Sequence, residues 1–235
     1  MKNMNYFLLR RLHSLLGIFP LGLFLVNHLI TNSTGIVSAK FFEEKVALIH
    51  MLGPLLPIVE AVFIFIPLAL HIALGVYIAT TGRIEVGRAV PYGRNWAYSF
   101  QRWTGWIALV FITYHVIHLR FLHDMDATPF SVVLGEMFYG GPLAILIMLG
   151  YLVGGLAVIY HFANGLCTFC MTWGITTGPR SQKGMAYAAV GVGAVLTLML
   201  LTSIGAFNRI GRNMAAMSET ERAAFVEELR AVHKK

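Results

Sequence analysis

Apolar residues along this chain gather into five long runs, at positions 12–32, 55–80, 103–119, 142–166 and 185–207. Each approaches the roughly 20 residues that a helix needs to cross a hydrocarbon core. Charged residues collect in the intervals between them. The pattern predicts an all-α integral membrane protein, a bundle of five transmembrane helices. The first run follows Lys2, Arg10 and Arg11, as a secretory leader would. Asn27 and His28 interrupt it, however, and no small-residue cleavage pattern follows, so it reads as a retained span. Residues 1–207 then form a single transmembrane domain, and 208–235 a charged C-terminal tail. Within the tail, Ser218-Glu219-Thr220-Glu221 has the form of a capping box, and Phe225, Val226, Leu229 and Val232 recur at helical spacing. A short amphipathic helix is one reading of the tail; a loosely ordered end is the other.

Composition fixes the class. Of 235 residues, 57% are hydrophobic and 12% charged, where a soluble domain carries about a quarter charged. The net charge of +7 does not indicate nucleic acid, because the basic residues sit between the apolar runs, where they set orientation. Lys2, Arg10, Arg11, Arg83, Arg88, Arg94, Arg102, Arg180 and Lys183 fall on one side of the alternating connections. Only Lys40, Lys45 and Arg120 fall on the other, beside Glu43, Glu44, Asp124, Asp126 and Glu136. The excess predicts a cytoplasmic N-terminus and, after five crossings, an external C-terminus. Arg209 and Arg212, just past the last run, fit this less well.

The chemistry lies in histidines placed inside the apolar runs: His28, His71, His115 and His161, one on each of four predicted helices. An ionisable group at that depth is costly and marks function. At about 1.5 Å per residue, His28 and His115 fall toward the outer ends of their helices and His71 and His161 toward the inner ends. Two pairs of imidazoles at two depths, on the order of 10 Å apart along the membrane normal, match two bis-histidine b-type haems held in one bundle. His118, one turn beyond His115, is a competing ligand, but His115 agrees better in depth with His28. His50, His123 and His233 fall in connections or the tail and read as surface residues. His71 and His161 each precede a glycine by four residues, Gly75 and Gly165. Such a glycine would let a flat macrocycle approach the backbone, or would serve close helix packing. His13 and Ser14, at the cytoplasmic edge beside Arg10 and Arg11, have two readings: binding the haem propionates by charge-assisted hydrogen bonds, or anchoring the first span.

Cys167 and Cys170 do not make a haem-attachment motif, since Met171 rather than histidine follows, and two cysteines indicate no disulfide framework. No phosphate-binding glycine loop or dinucleotide fingerprint is present. Chemistry on a soluble substrate is therefore expected on another subunit.

Several segments resemble one family. They are Arg10-Arg11-Leu12-His13-Ser14-Leu15-Leu16-Gly17, the stretch from His71 through Gly75-Val76-Tyr77-Ile78-Ala79, Asn95-Trp96, Gln101-Arg102-Trp103-Thr104-Gly105, His161-Phe162-Ala163-Asn164-Gly165, Trp173-Gly174-Ile175-Thr176 and Pro179-Arg180-Ser181-Gln182. Together they resemble the cytochrome b558 subunits of succinate dehydrogenases, the di-haem membrane anchors related to those of fumarate reductases. The resemblance implies five helices, two haems b ligated by the same four histidines, and a quinone, menaquinone. It also implies docking to a flavoprotein and an iron–sulfur subunit on the cytoplasmic side of a bacterial cytoplasmic membrane. Lys40-Phe41-Phe42-Glu43-Glu44-Lys45 resembles the part of related fumarate reductases where a glutamate contacts the quinone, which falls on Glu44; Glu60 is the alternative, and a solvated charged loop the plain reading. Some relatives carry a carboxylate two residues before the fourth-helix ligand, where this chain has Ile159. Two other functions remain open from the residues alone: a cytochrome b of a hydrogenase or formate dehydrogenase, and a proton-linked transporter with a histidine relay.

Overall fold

The computed structural model describes residues 2–81, 93–123 and 127–234. Arg83, Arg88, Asp124 and Asp126 lie outside these residues, as do the side chains of Lys2 and Arg94. The helices, in order, are α1 (Lys2–Ile18), α2 (Pro20–Ser33), α3 (Ala39–His50), α4 (Leu56–Glu60), α5 (Ile66–Thr81), α6 (Gly93–Val116), α7 (Phe130–Phe138), α8 (Ala144–Thr172), α9 (Pro179–Ala215) and α10 (Glu219–His233). Every regular element among the described residues is helical. Among the described residues, five helical stretches are long and apolar enough to cross a membrane: Tyr6–Ile36, Gly53–Thr81, Trp96–Phe121, Ala144–Thr172 and Pro179–Ala215. Their order agrees with the five runs, and apolar side chains such as Val110 and Val190 stand exposed along them, as lipid contact requires.

Two spans are internally broken for identifiable reasons. Pro20 has no N–H to continue the ladder between α1 and α2. In the second span Pro67 withholds a donor from the turn before it, and a π-helical turn, Ala61–Phe65, takes up the slip between α4 and α5. A second π turn, Ile117–Phe121, ends α6.

The chain divides into two compact units. The first comprises Met1–Val26, Ile58–Val110 and Leu156–Leu196; the second comprises Asn27–Pro57, Phe111–Gly155 and Thr197–Lys235. In the first, α1 lies along α5, and Arg11 donates to the carbonyl of Thr172 at 3.2 Å. In the second, α3, α7, α10 and the end of α9 enclose a core of Phe42, Val46, Val132, Phe138, Phe207, Ile210, Met214 and Leu229. The 37 residues of α9 span roughly 55 Å, well beyond a core of about 30 Å. Its overhang carries Asn208, whose amide donates to the Phe138 carbonyl at the end of α7 (2.8 Å). Gly211 permits the closest approach: a Cβ there would meet the Gly135 carbonyl oxygen at 2.0 Å. The capping box at Ser218 forms as the sequence predicts, and α10 buries Leu229 completely in this core.

Candidate functional site

In the first unit, α1 and α5 meet through a reciprocal clasp. The Nδ1 of His13 donates to the backbone carbonyl of His71 (3.0 Å), and the Nδ1 of His71 donates to the carbonyl of His13 (2.9 Å). The two rings stack with centroids 3.9 Å apart. Each ring also lies over the glycine four residues past its partner. A Cβ at Gly17 would come within 2.6 Å of the His71 ring, and one at Gly75 within 2.9 Å of the His13 ring. The same construction joins α6 and α8. There His161 Nδ1 donates to the Gln101 carbonyl and Gln101 Nε2 to the His161 carbonyl, both at 3.0 Å, while a Cβ at Gly105 would come within 3.1 Å of the His161 ring. Asn164 fixes the amide of Gln101 by donating to its Oε1 at 2.8 Å.

The clasps decide the tautomers. A carbonyl only accepts, so Nδ1 carries the hydrogen on His13, His71 and His161, and each Nε2 keeps its lone pair for a metal. The rings of His71 and His161 stand perpendicular, with centroids 6.2 Å apart. Ligating nitrogens of all three histidines lie within 4.8 Å of one another. An iron shared by two imidazoles needs about 4 Å between their nitrogens, from metal–nitrogen bonds of about 2 Å. The donor set fits a bis-imidazole iron. The cluster brings in His13 as well, which the sequence reading set at the propionates.

The second unit holds the other pair. The rings of His28 and His115 meet edge to face, with centroids 5.7 Å and planes 86° apart. His115 is flanked by Phe111 and Tyr151 at 5.6 and 5.7 Å, and its Nδ1 is buried with no hydrogen-bond partner among the described residues. His118, whose Nδ1 is likewise buried with no partner among the described residues, stacks on Tyr114 at 5.5 Å, and no contact of its ring with His28 is seen among the described residues. An imidazole with an orphaned buried nitrogen, set edge-on to a second imidazole among aromatic rings, also fits a metal-bound macrocycle better than a bare core.

Ser14 lies within a further cluster at the end of α1. Its hydroxyl donates to the Arg11 carbonyl (2.9 Å) and accepts from the Trp173 indole (3.3 Å). The Arg11 guanidinium lies over the rings of Phe7 and Trp173, each at 4.8 Å, with its Nε buried and unpaired among the described residues. Glu44 is exposed on α3. Its neighbour Glu43 is fully buried, accepting from the Ser131 amide (2.7 Å), the Ser131 hydroxyl (2.6 Å) and His233 Nε2 (2.8 Å). Sequence reasoning passed over Gln101 and Glu43 and placed His233 at the surface. The signal for Glu43 was available: Ala39, Phe42, Glu43 and Val46 share the 3–4 spacing of one buried helix face.

Residues 91–200 match the model of the family described as the succinate dehydrogenase/fumarate reductase transmembrane subunit. Over 202 residues the chain is 39% identical to the succinate dehydrogenase cytochrome b558 subunit of Bacillus subtilis (strain 168), covering 86% of this chain and 96% of that protein.

Proposed function

The chain belongs to the family of succinate dehydrogenase/fumarate reductase transmembrane subunits, and from that membership we propose that it anchors the complex and carries electrons to a quinone through two bis-histidine haems b. The single observation that carries this reading is the edge-to-face pair of imidazoles in each unit, His71 with His161 and His28 with His115. When bound, haem b supplies one-electron carriage between an iron–sulfur partner and the quinone. The protein's own part is to hold, orient and shield. The carbonyls of His13 and Gln101 aim the Nε2 atoms of His71 and His161. Phe111 and Tyr151 exclude water around His115. His13, Ser14 and Arg11 provide the polar groups for propionates.

Quinone reduction consumes two protons, and Glu44 on α3, being exposed, can exchange them with water. Menaquinone is the proposed acceptor. The N-terminus is taken as cytoplasmic and the C-terminus as external, in a bacterial cytoplasmic membrane. Arg209, which donates to the carbonyls of Gly35 and Ile36, keeps its charge there and remains the residue that fits that orientation less well. The basic intervals, including Arg180 and Lys183, would receive the flavoprotein and iron–sulfur subunits. Affinity capture of the tagged chain from membranes tests the assignment. Co-purification of a flavoprotein and an iron–sulfur protein with succinate:menaquinone activity is expected; capture of a hydrogenase or formate dehydrogenase instead would overturn it.

A further inference from the structure

We propose that α10 is a clamp that fixes α3 through the buried Glu43, which makes His233 and Glu43 positioning residues for quinone turnover. The proposal rests on the reading of Glu44 as the proton-exchanging group.

The first amides of a helix have no partner within it and need acceptors from elsewhere. At α7 the preceding residue is Pro129, which offers no side-chain acceptor. Its carbonyl accepts from the amides of Val132 and Val133 at 3.1 and 3.2 Å. The amide of Ser131 is left, and Glu43 supplies the acceptor from α3: Oε1 receives both the amide and the hydroxyl of Ser131. The positive end of α7 thus faces a carboxylate. The other oxygen, Oε2, receives Nε2 of His233 from the last turn of α10. One buried carboxylate ties three helices, and each of its oxygens has a donor.

The rest of α10 is held more weakly. Leu229, one turn before His233 and on the same face, is its one fully buried side chain. Lys40–Glu228 at 2.9 Å is more than half exposed on both partners, where an ion pair contributes little. Arg230 donates to the Ala127 carbonyl at 2.9 Å from an exposed position. The His50 ring lies 5.8 Å from that of His233, nearly perpendicular to it. Phe225 and Val226 are partly buried against the core and Arg222 pairs with Glu136 from exposed positions, so the fully buried part of the anchoring is Leu229 and the Glu43 oxygen that His233 meets. Removing the His233 donor leaves a carboxylate oxygen buried and unpaired, a larger loss than that of an exposed contact.

The consequence reaches Glu44 through helix geometry. Consecutive residues point about 100° apart around a helix. With Phe42 and Glu43 held inward, Glu44 is held outward at one azimuth. If α10 lets go, α3 keeps Ala39, Phe42, Val46 and the two Ser131 bonds but loses the donor on Glu43 Oε2, and Glu44 is held in its place less firmly.

The test uses the purified complex with its partner subunits. Three quantities are read: amide exchange in α3 and in the first turn of α7, kcat and KM for 2,3-dimethyl-1,4-naphthoquinone, and succinate oxidation with phenazine methosulfate. In His233→Ala, exchange in those segments rises by about 10- to 100-fold, the factor for a lost buried charged hydrogen bond. Quinone kcat falls several-fold while phenazine reduction holds. His233→Gln, which restores an N–H donor, brings both back toward the parent. Should His233→Ala fail to accumulate, His233→Phe keeps the ring and removes the donor. Unchanged exchange, or raised exchange with unchanged quinone kinetics, overturns the proposal. Glu44→Gln separates the two layers: full quinone turnover in that variant removes the reading of Glu44, whatever His233→Ala does to exchange.

Discussion

Gly17→Ala is the smallest change that tests the clasp around His71. The added Cβ would lie 2.6 Å from Cε1 of that ring, where carbon atoms need about 3.5–4.0 Å. The ring must therefore retreat by roughly 1 Å. It has nowhere easy to go. Its Nδ1 is held by the His13 carbonyl at 2.9 Å, and its face is stacked on the His13 ring at 3.9 Å. Retreat breaks a hydrogen bond worth about 1 kcal/mol and swings the Nε2 lone pair off the axis shared with His161. Loss of such a supporting contact weakens metal binding by about 10- to 100-fold. The assay is haem per chain by pyridine haemochromogen, with reduced-minus-oxidised spectra, in membranes from haem-limited cells. The expected outcome is loss of the His71/His161 haem with the other retained. Gly191→Ala is the control, since a Cβ there meets nothing within 4 Å. Equal retention of both haems in Gly17→Ala would refute the clasp as a positioning device.

Three further outcomes are expected. His115→Ala removes the haem of the second unit, whereas His118→Ala, whose ring lies on Tyr114, leaves the spectrum near the parent's; the reverse pattern would exchange their roles. Gly211→Ala forces a Cβ against the Gly135 backbone rather than a yielding side chain, costs about 1–3 kcal/mol, and lowers the thermal unfolding midpoint with early proteolysis between α7 and α9. The Ser218 amide and hydroxyl hold the Glu221 carboxyl below the usual glutamate range. Its contribution is therefore full above that range and lost as pH falls through the lowered value, so the protection of the first-turn amides of α10, taken against their intrinsic exchange rate at each pH, falls on acidification, and Glu221→Gln flattens that dependence.

The parts legible in the sequence are those set by composition and period. Five apolar runs gave five spans, because a bilayer leaves the backbone no other economical choice. Ser218 and Glu221 announced their cap because that motif closes within four residues. Pairings between distant segments were harder. The His-x-x-x-Gly pattern was visible at His71 and His161. What it does was not, since Gly75 receives the ring of His13 from another helix, whereas a Cβ at Gly165 would meet the Gln101 amide at 3.6 Å and no ring. Glu43 and Glu44 illustrate the same limit. Two adjacent acids between two lysines look alike as text, and only the docking of α7 and α10 decides that one is buried and the other exposed. The helices α3 and α7, inside two of the connections, were not foreseen because each is short, and each is stabilised mainly by the core it shares with the overhang of α9.

The central claim is that four histidines hold two haems, one pair in each unit. Haem stoichiometry and redox titration of the purified complex test it most directly, on the parent and on His28→Ala, His71→Ala, His115→Ala and His161→Ala. Expected are two haems b per chain with two resolved midpoint potentials, His71→Ala and His161→Ala losing one component and His28→Ala and His115→Ala the other. One haem per chain in the parent, or loss of the same component in all four variants, would contradict it.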